Sequence, residues 1–176
     1  MVAIRAEISS DIHAREVLLN KSFGGAAKRA RKTSEKLRHN RKPAEGLAFT
    51  AVTARGRVVG TVRLWNIIAG SAGPALLLGP LAVDEAFRGK GLGSALMVHA
   101  LKAARDLGHG SVILVGDEAY YKRFGFAAGH TQGLHLPGPV ERERLLGLEL
   151  EEEALDGAEG LIAASGRRAE ADRLAA

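Results

Sequence analysis

The chain has 176 residues, 46% of them hydrophobic and 26% charged, which is enough for one compact domain and too apolar for wholesale disorder. It has no cysteine, so a disulfide framework, a thiolate nucleophile and a cysteine-based zinc site are excluded, and no apolar run approaches the ~20 residues of a membrane span. The net charge of +5 is lopsided: residues 1–75 hold 14 Lys/Arg against 5 Asp/Glu, residues 76–140 hold 6 against 5, and residues 141–176 hold 5 against 10. The start, MVAIRAEISSD, is charged within five residues and lacks a signal peptide's apolar core, so a cytoplasmic protein is expected.

Residues 2–8 alternate as a first strand, and Ser9, Ser10 and Asp11 offer N-caps for a helix over 11–23. Gly24-Gly25 ends it. A strongly basic helix is expected over 26–41, stopped by Pro43. Runs 47–54 and 57–68 read as two strands joined by a tight turn at Arg55-Gly56. The run 75–83 (ALLLGPLAV) is apolar throughout, as a central strand buried on both faces would be. Gly79-Pro80 interrupts it, and a proline cannot donate to a sheet ladder, so the strand must bulge or splay there.

Residues 92–107 give a helix whose Leu92, Leu96, Ala100, Ala103 and Leu107 share one face, with Gly108 past its end. A buried strand at 111–115, a short helix at 117–124 and a further strand after Phe124-Gly125-Phe126 follow. Two more strands are read at 145–150 and 160–164, around a turn at Asp156-Gly157. The fold class is α+β, with a mostly antiparallel sheet.

The strongest chemical signal lies between the interrupted strand and the 92–107 helix. There, in DEAFRGKGLGS, Gly89, Gly91 and Gly93 alternate at a helix start. Glycines let successive backbone N–H groups approach one anion, the helix dipole adds partial positive charge, and Arg88 and Lys90 add formal charge. A phosphate or pyrophosphate is the expected ligand. The P-loop pattern is missing, and a dinucleotide fingerprint would need a third glycine where Ser94 stands.

The pattern that does fit is RxxGxG, carried by Arg88, Gly91 and Gly93. With it the sequence resembles the GNAT (GCN5-related N-acetyltransferase) superfamily, most of all a bacterial subgroup of predicted N-acetyltransferases. The likeness covers roughly residues 2–130. It implies a mixed, mostly antiparallel sheet with one splayed, bulged strand, and acetyl-CoA as acyl donor with no metal. It also implies that the loop Arg88, Gly89, Lys90, Gly91, Leu92, Gly93 and Ser94 holds the pyrophosphate, and that the backbone of Leu81, Ala82 and Val83 bonds the pantetheine arm. Residues 119–126 (AYYKRFGF) match a second family element, in which Tyr121 resembles the general acid that protonates the departing thiolate. Residues 1–135 are then the catalytic domain. Residues 136–176 form an extension, with strands that complete or extend the sheet and a polar tail.

The expected reaction is direct attack of a primary amine on the thioester in a ternary complex. A non-catalytic acyl-CoA-binding module and an acyltransferase for RNA-linked amines are the alternatives. No general base stands out. Strand 75–83 has no acidic side chain, and Asp84, Glu85, Asp117 and Glu118 fit caps or solvated groups as well as catalysis. His13, His99, His109, His130 and His135 are scattered, which leaves water as the default base. Residues 28–42 hold eight Lys/Arg and one glutamate. Such a stretch fits a solvated face, or a field for an anionic acceptor or RNA. The lack of interleaved aromatics argues against nucleic acid. The acidic tail admits pairing with this head, within one chain or across a homodimer.

Overall fold

The computed structural model describes residues 1–169; the polar tail expected beyond them lies outside the described residues. A long, twisted sheet runs in the order β1 (Val2–Ala6), β2 (Ala48–Thr53), β3 (Val58–Ala69), β4 (Pro74–Val83), β5 (Ser111–Val115), β7 (Leu145–Glu149). Neighbours are antiparallel except β4 and β5. β8 (Glu159–Ala164) pairs with the second half of β3 and, in parallel, with the short β6 (Gly133–His135), making eight strands among the described residues. This is the open, mixed α/β architecture with flanking helices that the sequence implied.

The helices are α1 (Ile12–Ser22), α2 (Ala26–Ala30), α3 (Leu92–Asp106) and α4 (Glu118–Tyr121). α3 buries Leu96, Met97, Ala100, Leu101 and Ala104 against one face of the sheet. Each large apolar side chain so enclosed stabilises the fold by about 1.5–3 kcal/mol. Leu107, expected on that stripe, lies past the last turn and is exposed.

Three expectations need correction. The basic helix over 26–41 is only α2 followed by a 3-10 turn at Thr33–Leu37. Its sequence offers Leu37 as the lone large apolar anchor, too little burial to offset the cost of a long helix. After Phe126 the chain makes one bridge, Ala127 to Gly147, and then a 3-10 turn in place of a strand. The carboxylate of Asp11 accepts from the Ile8 amide and from Arg5, so it does not cap the first turn of α1.

β4 governs the site. Leu76 and Leu78 pack beneath α3, while Ala75 and Leu77 face the opposite layer with Trp65 and Ile67. Pairing with β3 runs Leu64 to Leu78 and then Val62 to Leu81, so Arg63 is opposed by both Gly79 and Pro80. Two residues against one is a β-bulge, and it shifts the alternation by one. Beyond it Leu81 and Val83 turn to the α3 side and Ala82 to the α1 side with Leu18 and Leu19. The indole Nε1 of Trp65 donates to the Gly79 carbonyl at 2.5 Å and ties the bulge to β3.

Candidate active site

Only two residue pairs, Leu76 with Val112 and Leu77 with Ile113, join β4 to β5. From the bulge onward the strands part, so β4 from Leu78 to Val83 is paired on its β3 edge alone. The gap opens at one end into a glycine-lined concavity and at the other into a deeper cavity.

The concavity holds about 400 Å³ and is lined by Val83, Arg88, Gly89, Gly91, Leu92, Gly93 and Ser94, with Tyr120 and Arg123 opposite. Gly91 starts α3 with φ +80°, a left-handed conformation that a side chain would strain. The first-turn amides of a helix have no acceptor within the helix, so those of α3 are available to an anion. The Arg88 guanidinium folds back, its Nε donating to the Val83 carbonyl at 3.1 Å. Arg123 donates to Ser94 Oγ at 3.0 Å and lies 4.5 Å over the Tyr120 ring. Lys90 is exposed, with its ammonium over Phe87, and does not line the concavity.

The deeper cavity holds about 310 Å³. Leu77 to Leu81 form one wall, Leu114 to Asp117 with Tyr120 and Tyr121 a second, and residues from Phe23 to Arg38 a third. Tyr120 borders both hollows. Tyr121 belongs to the deeper one, where burial beside Tyr120 pushes its hydroxyl up to about 12. Its ring lies so close to Gly116 that a methyl group there would overlap it.

Of the residues singled out in the sequence, Leu81 faces the cavity, Val83 the concavity, and Ala82 the α1 layer. The candidate bases separate. Asp84 accepts from the Ala86 amide and from Arg57, and Asp117 caps α4 through the Ala119 amide. Glu85, Glu118 and all six histidines lie outside both hollows. The carboxylate the sequence did not single out is Glu35, in the third wall and bonded to Arg38 at 3.1 and 3.2 Å. Arg123 was missed as well, although its position three residues after Tyr120 puts both on one helical face.

Residues 15–126 match the model of the acetyltransferase (GNAT) family. The chain belongs to this GNAT family. Its relatives include the Escherichia coli N-acetyltransferase YhbS, 33% identical over 165 residues that cover 90% of this chain and 93% of that protein. The crystal structure of E. coli YhbS in complex with CoA superposes with a TM-score of 0.76 at 28% identity, covering 93% of this chain and 89% of that one. A GNAT acetyltransferase from Brucella melitensis, solved with acetyl-CoA, has the same fold at TM-score 0.69 and 24% identity, covering 94% and 96%. The parted strands, the glycine-led helix and the tyrosine-bearing turn thus belong to a GNAT fold. Among the described residues no helix is long and apolar enough to cross a membrane.

Proposed function

We propose that the protein transfers an acetyl group from acetyl-CoA to a primary amine by direct attack. The observation that carries this reading is the parting of β4 and β5 between a glycine-led helix start and a cavity of substrate size, with Tyr121 lining that cavity and Tyr120 bordering both hollows. The donor's pyrophosphate would lie on the amides of Gly91 to Ser94, with Arg88 and Arg123 beside it. The pantetheine arm would take the open edge of Leu81 to Val83 as an added strand. Complexes of E. coli YhbS with CoA and of the Brucella protein with acetyl-CoA support the choice of donor.

The neutral amine attacks the thioester carbonyl, an N–C bond forms, the C–S bond breaks, and the sulfur leaves with the electron pair. A water takes the proton lost by the amine, since Glu35 is held in an ion pair with Arg38. Tyr121 supplies the proton to sulfur. At about 12 it is a weak acid in water, but the burial that raises it also disfavours a free thiolate, which narrows the mismatch. Because its pKa is raised, the hydroxyl keeps its proton through the neutral and mildly alkaline range. Holding the donor on amides and the acceptor in a cavity makes the reaction effectively unimolecular.

Tyr121→Phe is expected to lower kcat about 10²-fold or more with little change in the KM for acetyl-CoA, measured as CoA release across an amine panel. Unchanged turnover would remove Tyr121 from the mechanism. Acetyl-CoA binding without turnover on any amine would leave a non-catalytic acyl-CoA-binding module.

A further inference from the structure

The deeper cavity has a charge imbalance that acetyl transfer alone does not require. Its walls bring in Arg29, Lys32, Arg38 and Arg144 against Glu35 and Asp117. Arg29 is occupied by Asn20 and Glu16, Arg38 by Glu35, and Asp117 by the amide it caps. Lys32 and Arg144 have no carboxylate partner among the described residues. Both also line a neighbouring hollow of about 500 Å³, so they stand where the two spaces meet.

Their positions are fixed by the fold. The Lys32 ammonium lies 4.5 Å from the centre of the Phe23 ring. The Arg144 carbonyl accepts from the Gly116 amide at 2.9 Å, and Gly116 is the residue on which the Tyr121 ring rests. Arg144 is therefore anchored beside the tyrosine. Partial burial and the nearby charges of Arg38, Arg144 and Lys28 hold the Lys32 ammonium below its ordinary pKa. Like charges gathered without a counter-ion in a half-enclosed space are an anion site, worth most when the anion arrives desolvated.

Resting on the acetyl-transfer reading, we infer that the acceptor is a small amine that also carries an anionic group, a carboxylate or a phosphate, held between Lys32 and Arg144. Arg144 adjoins Tyr121 through Gly116, so the anionic group lies only a few bonds from the reacting nitrogen, as it does in an amino acid. The basic head of the chain thereby acquires a role on the acceptor side.

The test uses matched amines with acetyl-CoA: amino acids against their amides, and aminoalkyl phosphates against the corresponding amino alcohols. The anionic member of a pair is expected to have at least a tenfold higher kcat/KM, with the margin shrinking as salt is added. The carboxylate and phosphate arms identify which anion is taken. Lys32→Gln and Arg144→Gln, both at exposed positions, should each raise the KM of the anionic acceptor about tenfold and leave the KM of acetyl-CoA in place. Equal use of the neutral partners would overturn the inference, and so would a preference for acidic peptides or RNA over every small amine. A rise in the acetyl-CoA KM of the two variants would overturn it too, by assigning the cations to the donor's phosphates. Turnover of no amine by protein that binds acetyl-CoA would instead remove the transfer reading, and the acceptor with it.

Discussion

Gly116 and Tyr121 form a pair in which one residue is small so that the other can be large and correctly placed. Gly116 follows β5 and is buried, its amide is committed to Arg144, and the tyrosine ring occupies the volume a side chain would need. Gly116→Ala is expected to destabilise the fold by about 1–3 kcal/mol through overpacking. It should also displace the phenol, so kcat falls while acetyl-CoA binding is kept. Urea unfolding and steady-state kinetics separate the two effects. In the sequence a motif singles out Tyr121, but nothing local marks Gly116 as its platform, because the contact depends on how α4 folds back over β5. Arg144 was equally hidden: it lies in an irregular segment, and its place beside Tyr121 arises from a long-range backbone bond.

The bulge in β4 was legible because Gly-Pro inside an apolar run is a local contradiction with only a few resolutions. Its fastening was not legible. Which side chain of β3 reaches it depends on register: Arg63 lies opposite the bulge, and Trp65, two residues on, sets its indole on the Gly79 carbonyl. Trp65→Phe keeps most of the apolar surface but leaves that carbonyl without its donor. It should cost about 1–3 kcal/mol and raise the KM for acetyl-CoA as the β4 edge loosens; denaturant midpoints and donor titration check this. The segment 26–41 failed in the opposite way. Its residues favour a helix by composition, yet no periodic apolar face exists to dock one. The result is a turn that sets its charges around a cavity.

Across the whole molecule, the polar links at the β1 edge bear on acid tolerance. Asp11 takes bonds from Arg5, the Ile8 amide and Thr50, so one carboxylate joins β1, the turn before α1, and β2. The Arg5 guanidinium foremost holds it down at about 2, against about 3.9 for an unstrained aspartate. A depressed acid stabilises fully above its unfolded value and loses that contribution as pH falls through the folded one. Stability should therefore decline between pH 4 and 2, and Asp11→Asn should flatten that decline while lowering the plateau at neutral pH. Thermal melts across that range measure both.

The two segments outside the sheet that border the hollow shared by Lys32 and Arg144 are fastened to each other in a particular manner. Thr33 Oγ1 donates to the Pro139 carbonyl at 2.5 Å and Lys36 Nζ to the Pro137 carbonyl at 3.0 Å. A latch that closes on main-chain oxygens does not read the side chains of the 136–144 segment. Those side chains can be exchanged without releasing the latch, while the glycine-led helix and parted strands stay fixed. On the acetyl-transfer proposal, such a molecule would diversify its acceptor by rewriting two short irregular segments and keep one unchanging grip on its donor.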